Sequence, residues 1–311
     1  MKILFLGSSD FAIPALDLLI HSRWQLLGVV TQPDRPKGRG RKLGPTPVKQ
    51  FAQEQSLAVY QPSSGAGLAD LLASERLAPE VIVVVAFGQL LPPAVLDLPL
   101  LGCINIHPSL LPAYRGPAPL QRTIINGETR TGVTTMYLNP EMDAGDLILQ
   151  EAVAIGPTTT TGELSAQLAR LGAELLHKTL CLIEQGRAPR QAQDHARATY
   201  APPLLPGEER IDWNQDAMTL SNLIRGMNPQ PGAHTLLNGK GLKIWRSLPE
   251  NNPAGGLPGS VSDVNPRSGF SVQTGGGQLL IEEVQPAGRS RMSGAEFVRG
   301  YRIRPGLLLG G

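Results

Sequence analysis

Five consecutive β-branched residues, Val81-Ile82-Val83-Val84-Val85, closed by Ala86, set the first constraint on what this chain can fold into. The run has no polar position at which an alternating strand could face water. Such a strand is buried on both faces, as in a parallel sheet covered by helices. The rest of the first 185 residues fits that frame. Residues 2–6, 25–31, 101–106, 132–138 and 147–155 read as further strands. Asp10 is placed to cap a helix running to about Ser22, with Ile13, Leu16 and Ile20 at helical spacing. Residues 68–75 and 161–185 read as helices, the second carrying Leu164, Leu168, Leu171, Leu175 and Leu176. Strands alternating with helices predict an α/β domain with a Rossmann-like, doubly wound, mostly parallel sheet.

From Gly186 to Gly207 the pattern stops, and Gln, Pro, Arg and Ala dominate. This reads as a linker. Beyond it a helix is predicted over 215–227, then short β-type runs at 242–246, 259–263, 270–273 and 279–284, separated by Gly, Pro and Asn. Regular short strands with turn signals predict a small C-terminal β-barrel of the OB type. The expected division is 1–189 for the α/β domain, 190–208 for the linker and 209–311 for the barrel. A chain of 311 residues accommodates two domains.

Composition narrows the setting. Hydrophobic content of 41% and charged content of 17% are those of a globular protein with a substantial core. A net charge of +2 leaves any affinity for nucleic acid to local clusters. Cys103 and Cys181 lie in apolar runs and read as two buried thiols, with no disulfide framework or metal-ligand spacing. The apolar start, Ile3 to Leu6, is too short for a signal peptide and reads as a first strand. No apolar stretch reaches the roughly 18 residues of a membrane span. A cytoplasmic protein is expected.

Chemistry concentrates in Cys103-Ile104-Asn105-Ile106-His107-Pro108-Ser109. A period of two puts Asn105 and His107 on one face of a strand. Pro108, lacking an N–H, ends the ladder there. In open α/β sheets ligands bind outside the carboxyl ends of the strands. A strand-end His and a turn Asn can also be purely structural, and this pattern alone leaves both readings open. Met142-Asp143-Ala144-Gly145-Asp146 places two carboxylates around a turn, where one could hold the His107 imidazole in a single tautomer. Acyl transfer to an amine needs donors for an oxyanion and a base for the ammonium proton, and these residues supply both. No G-x-S-x-G elbow is present, and His107, Asp143 and Asp146 have no recognised metal-ligand spacing.

The run from Gly102 through Asn105, His107, Ser109, Leu110, Leu111 and Pro112, then Tyr114-Arg115-Gly116, then Met142 to Asp146, resembles the folate-dependent formyltransferases. The resemblance implies that Asn105 and His107 polarise the formyl oxygen and that Asp143 assists proton transfer. It also implies 10-formyltetrahydrofolate as formyl donor, with Phe87, Gly88, Leu90, Ser109, Leu110, Leu111 and Pro112 around it. No metal or nicotinamide is expected: the first strand ends Gly7-Ser8-Ser9-Asp10-Phe11, without the dinucleotide-binding glycines.

Members of this family differ in acceptor. The stretch 31–49 is rich in Gly and Pro and carries Arg35, Lys37, Arg39, Arg41, Lys42 and Lys49 against Asp34. It reads as a mobile basic loop suited to a phosphate backbone. It resembles the inserted loop of the branch that formylates methionyl-initiator tRNA, with Arg39 at the position that enters the acceptor stem. Arg210-Ile211-Asp212-Trp213, Lys243-Ile244-Trp245 and Gln285 to Arg289 resemble that branch's C-terminal domain, and Lys240, Arg246, Arg291, Arg299, Arg302 and Arg304 add charge. His107 is followed by Pro108, where that branch often has Gly. The alternative acceptor is a nucleotide-linked amino sugar, which would not need the basic loop. An RNA-binding module on an inactive scaffold would not need Asn105, His107 and Asp143. No obligate protein partner and no membrane association are implied.

Overall fold

The computed structural model describes residues 1–37, 42–250, 252 and 255–310. They fall into two units. The first comprises Met1–Pro119, Arg130–Ala154 and Ser165–Ala201; the second comprises Leu120–Thr129, Ile155–Leu164 and the chain from Pro202.

The chain enters the first unit through β1 (Lys2–Gly7), α1 (Ile13–Ile20) and β2 (Gln25–Val30). Then come a short hairpin of β3 (Arg35–Lys37) and β4 (Lys42–Gly44), α2 (Pro47–Glu54), β5 (Val59–Tyr60), α3 (Gly65–Ser74) and β6 (Val81–Val85). There follow α4 (Pro93–Leu96), β7 (Cys103–His107), β8 (Arg130–Tyr137), β9 (Leu147–Ala154) and most of α6 (Thr161–Glu184); α5 (Pro119–Ile125), between β7 and β8 in the chain, belongs from Leu120 on to the second unit. The main sheet has the order β5-β2-β1-β6-β7-β8-β9. Its first five strands are parallel, and β8 and β9 are added antiparallel. The β-branched run is the middle strand β6, buried at every position, as its composition requires. Leu4, Leu6, Val30, Ile82, Val84 and Phe87 form a core with Leu68 and Leu72 of α3. Each such side chain contributes about 1.5–3 kcal/mol by leaving water. Chain order reverses between β1 and β6, so the carboxyl edge there is where an open α/β sheet binds its ligands.

Local details depart from the sequence reading. Asp10 does not cap α1: it opens a 3-10 turn, Asp10–Ala12, and a proline in the first turn starts the helix. The basic stretch is not loop throughout, because β3 and β4 pair with Lys37 opposite Lys42. Lys49 leaves it altogether. It sits in α2 behind the Thr46 N-cap, with its Nζ 2.8 Å from both carboxylate oxygens of Asp34. Residues 191–201 are tied into the first unit. Gln191 exchanges backbone hydrogen bonds with Leu147, and Arg115 with Thr199 and Ala201. Cys103 is buried, whereas Cys181 is only partly so.

The second unit carries α7 (Ala217–Gly226), β10 (His234–Leu237), β11 (Lys240–Glu250), β12 (Val261–Asn265), β13 (Gly269–Gln273), β14 (Gln278–Pro286), β15 (Met292–Ser293) and α8 (Gly294–Tyr301). Its antiparallel sheet has the order β10-β11-β14-β13-β12, with β15 on β14. The path of named strands ends at β10 and β12, and the C-terminal residues bond to both ends: Leu309 N donates to the Gly259 carbonyl beside β12 and Gly310 N to the Leu236 carbonyl of β10, so the finding is an antiparallel sheet domain. Trp213, Leu220, Ile224, Ile244, Phe270, Ile281 and Phe297 make its core. Among the described residues no helix is long and apolar enough to cross a membrane.

Candidate active site

β7 is buried along its whole length, and Asn105 and His107 share one of its faces. Parallel pairing sets Asn105 beside Val84, and antiparallel pairing sets His107 beside Thr134. His107 is the last residue of the strand, at the carboxyl edge. Beyond it the chain turns tightly: Ser109 Oγ donates to the Ala113 carbonyl at 2.6 Å, and Thr134 Oγ1 donates to the Ser109 carbonyl at 2.6 Å. Gln150 Nε2 donates to the Leu111 carbonyl at 2.8 Å. The turn therefore has little freedom.

Its far end returns to the histidine. His107 Nε2 lies 2.9 Å from the Tyr114 carbonyl oxygen. A carbonyl only accepts, so Nε2 carries a proton and donates it. Nδ1 is then the nitrogen facing Asp143, whose Oδ1 stands 3.6 Å away. That is an ion-pair distance, longer than a hydrogen bond, and it leaves room for a reacting group to share the Nδ1 side. The other oxygen of Asp143 accepts from the Gly116 amide at 2.8 Å. Both groups are nearly shielded from solvent, with side-chain exposures of 6% and 13%, which strengthens their interaction relative to one in water.

Asp143 itself has φ +52°, a left-handed conformation rare for a side-chain-bearing residue. Nearby, a Cβ on Gly145 would overlap the Tyr137 carbonyl oxygen, so only glycine fits that close approach. Gln193 Nε2 donates to the carbonyls of Asp143 at 2.9 Å and Gly145 at 2.8 Å. Its Oε1 accepts from Arg115 Nε at 3.1 Å and Nη2 at 2.7 Å. Sequence reasoning missed Gln193. It lies in a stretch without periodicity, where one glutamine looks like any other.

The strand ends beside β7 are tied together. Ser8 Oγ donates to the Phe87 carbonyl at 3.0 Å, as does Gln32 Nε2 at 2.8 Å. Among the residues expected around a folate, Phe87, Ser109 and Leu111 are buried, and the Phe87 ring belongs to the core. Phe87 and Ser109 therefore present backbone rather than side chain. Gly88 turns the chain at φ +77°, and Leu90 is 68% exposed. Leu110 and Pro112 are half-buried. Burial, with a smaller contribution from the Asp97 charge, pushes the Cys103 thiol up to about 12, so it stays protonated and is no nucleophile. Of the basic residues, Arg35 is exposed on β3, and Lys37 and Lys42 take part in the hairpin. Arg39 and Arg41 lie outside the described residues.

A buried His–carboxylate pair with an Asn two residues upstream, at the sheet's carboxyl edge, suits amine acylation. Residues 1–180 match the model of the formyl transferase family, and residues 204–302 match that of the formyl transferase C-terminal domain. The chain belongs to the formyl transferase family. The methionyl-tRNA formyltransferase of Moorella thermoacetica is 50% identical to it over 310 residues, covering 100% of this chain and 99% of that one. HypX from Aquifex aeolicus, solved with tetrahydrofolic acid, superposes with a TM-score of 0.66 at 19% identity, over 96% of this chain; this chain spans about half (48%) of that one. WlaRD, a sugar 3N-formyl transferase, gives 0.67 at 19% identity, over 93% of this chain and 99% of that one.

Proposed function

We propose that the chain transfers the formyl group of 10-formyltetrahydrofolate to the free amino group of methionyl-initiator tRNA, giving N-formylmethionyl-tRNA for translation initiation. The observation that carries the acceptor is the end-to-end match, at 50% identity, to an enzyme named for that reaction. The amino-sugar enzyme shares the fold at 19% identity, which carries no acceptor.

The residues after β6 fit a folate. Gln89 Oε1 is buried with no hydrogen-bond partner among the described residues, next to the exposed Leu90. An unmet acceptor beside an apolar surface suits a flat ring with a polar edge. Gly88 and the Phe87 backbone would line one side of that ring, and Ser109, Leu110, Leu111 and Pro112 the other. Bound there, 10-formyltetrahydrofolate supplies an activated formyl group.

His107 works through Nδ1, since Nε2 is committed to the Tyr114 carbonyl. Asn105 and His107 donate to the formyl oxygen as negative charge develops on it. Asp143, held by the Gly116 amide, takes the proton that the attacking amine nitrogen loses as the bond forms. The new C–N bond forms at the amino acid nitrogen, the old one breaks at the carrier nitrogen, and the proton that Asp143 took from the amine passes on to the carrier nitrogen.

Arg35, Lys37, Arg39, Arg41 and Lys42 meet the phosphates of the acceptor stem. The catalytic role lies in 1–189, and the tRNA-binding role extends to 209–311. The reaction takes place in the cytoplasm and requires no protein partner. Incubating the purified chain with 10-formyltetrahydrofolate and charged initiator tRNA tests the reading: formylmethionine should be recovered from the tRNA, and its absence with an active donor would refute it.

A further inference from the structure

We propose that residues 191–201, which lie between the two family-model matches, are part of the catalytic machinery, with Gln193 and Thr199 as positioning residues. The proposal rests on the formyl-transfer reading and adds residues to its site.

Three groups surround His107 and Asp143: the Tyr114 carbonyl, the Gly116 amide and the Asp143 backbone at φ +52°. All three are fixed from 191–201. Gln193 is 5% exposed and uses both ends of its amide. Its Nε2 holds the carbonyls of Asp143 and Gly145, and so the loop that aims the carboxylate. Its Oε1 holds the buried guanidinium of Arg115, the residue between Tyr114 and Gly116. Thr199 Oγ1 accepts from the Tyr114 amide at 2.9 Å, and its carbonyl accepts from the Arg115 amide at 2.9 Å. Ala201 N closes the ladder onto the Arg115 carbonyl at 2.7 Å. One glutamine thus links the segment that orients the imidazole to the loop that orients the carboxylate. Hydrogen bonds of this kind, one layer behind the reacting groups, hold them within the few tenths of an ångström that transfer requires. The site needs two donors on one side and a doubly accepting oxygen on the other, which a glutamine amide supplies.

Gln193→Glu keeps an acceptor for Arg115 and removes both donors to the Asp143 loop. The expected result is a kcat lowered about 10- to 100-fold, the scale of a misplacement near 1 Å, with KM for the formyl donor unchanged within about twofold. The His107 ring signals in 15N NMR should move as the Asp143 carboxylate shifts. Thr199→Val, at an exposed position where the fold tolerates the change, removes only the hydroxyl that holds Tyr114. It should lower kcat a few-fold, again at constant KM, and move the same signals. The ring signals report positioning whatever the acceptor proves to be, so failure of this inference is separate from failure of the tRNA reading. Unmoved His107 signals in folded Gln193→Glu, or in Thr199→Val should the first variant not fold, would overturn the proposal, as would a kcat within threefold of wild type in Gln193→Glu.

Discussion

At the scale of single residues, the division of labour on the imidazole decides what each substitution does. Tyr114 fixes Nε2, so His107→Ala removes an oriented donor, and Asp143→Asn keeps the shape of the carboxyl while removing its charge and basicity. Loss of one oriented oxyanion donor costs about 100- to 1,000-fold in kcat, and loss of a positioned base about 100-fold or more. Either variant should therefore lose that much turnover with folate affinity nearly intact, because the interactions matter only as charge develops. Equilibrium folate binding measured beside steady-state kinetics checks this; near-wild-type turnover in either variant would remove that residue from the mechanism. The sequence placed Asn105 and His107 on one strand face and Asp143 on an acidic turn, and the structure brings His107 and Asp143 to 3.6 Å; the strand pattern alone left their role open, and the family resemblance supplied it. Gln193 was not legible, because its role comes from tertiary contacts that leave no local pattern.

At the scale of elements, α5 shows how one side chain orders the chain beyond the α/β sheet. Arg122 meets Glu208 through two hydrogen bonds, Nη1 to Oε2 at 2.7 Å and Nη2 to Oε1 at 3.0 Å, and donates to the carbonyls of Pro202 and Pro203 at 3.0 and 2.8 Å. Hydrogen bonding from Arg122 holds the Glu208 carboxyl below its usual range. A folded-state pKa below the unfolded one contributes stability that is present above the unfolded value near 4.5 and lost as pH falls through the folded value. Glu208→Gln should accordingly lower stability by about 1 kcal/mol at neutral pH and much less at pH 3, as read from urea unfolding at the two pH values. An equal loss at both would contradict the pairing. Element types followed the sequence where periodicity was long, as in β6 and α6. They were missed where an element was short: β5 has two residues, and β10 has four. For α8 a signal was present, the Ser293/Glu296 capping box, over a helix of only eight residues. Direction was missed at β8 and β9, because a buried strand reads alike whether parallel or antiparallel.

At the scale of the whole molecule, the question is how a small reaction centre chooses a large acceptor. Phosphate binding by the 32–49 stretch would add affinity without touching the formyl group. Arg39→Ala should then impair formylation of charged initiator tRNA and leave folate affinity unchanged. Removing one cation that meets a phosphate lowers the dependence of log affinity on log salt by about one unit, so the variant should be less salt-sensitive than wild type. Binding of tRNA titrated at several salt concentrations checks this, and identical slopes would take Arg39 off the RNA. The central claim, that the acceptor is the amine of methionyl-initiator tRNA, is tested most directly by offering the same purified chain three acceptors with 10-formyltetrahydrofolate: charged initiator tRNA, a nucleotide-linked amino sugar, and water. The predicted result is a kcat/KM for the charged tRNA at least about 1,000-fold above that for the sugar, on the order of what a site built for one acceptor's polar groups achieves against another, and only slow hydrolysis in water; preferential formylation of the amino sugar would contradict it.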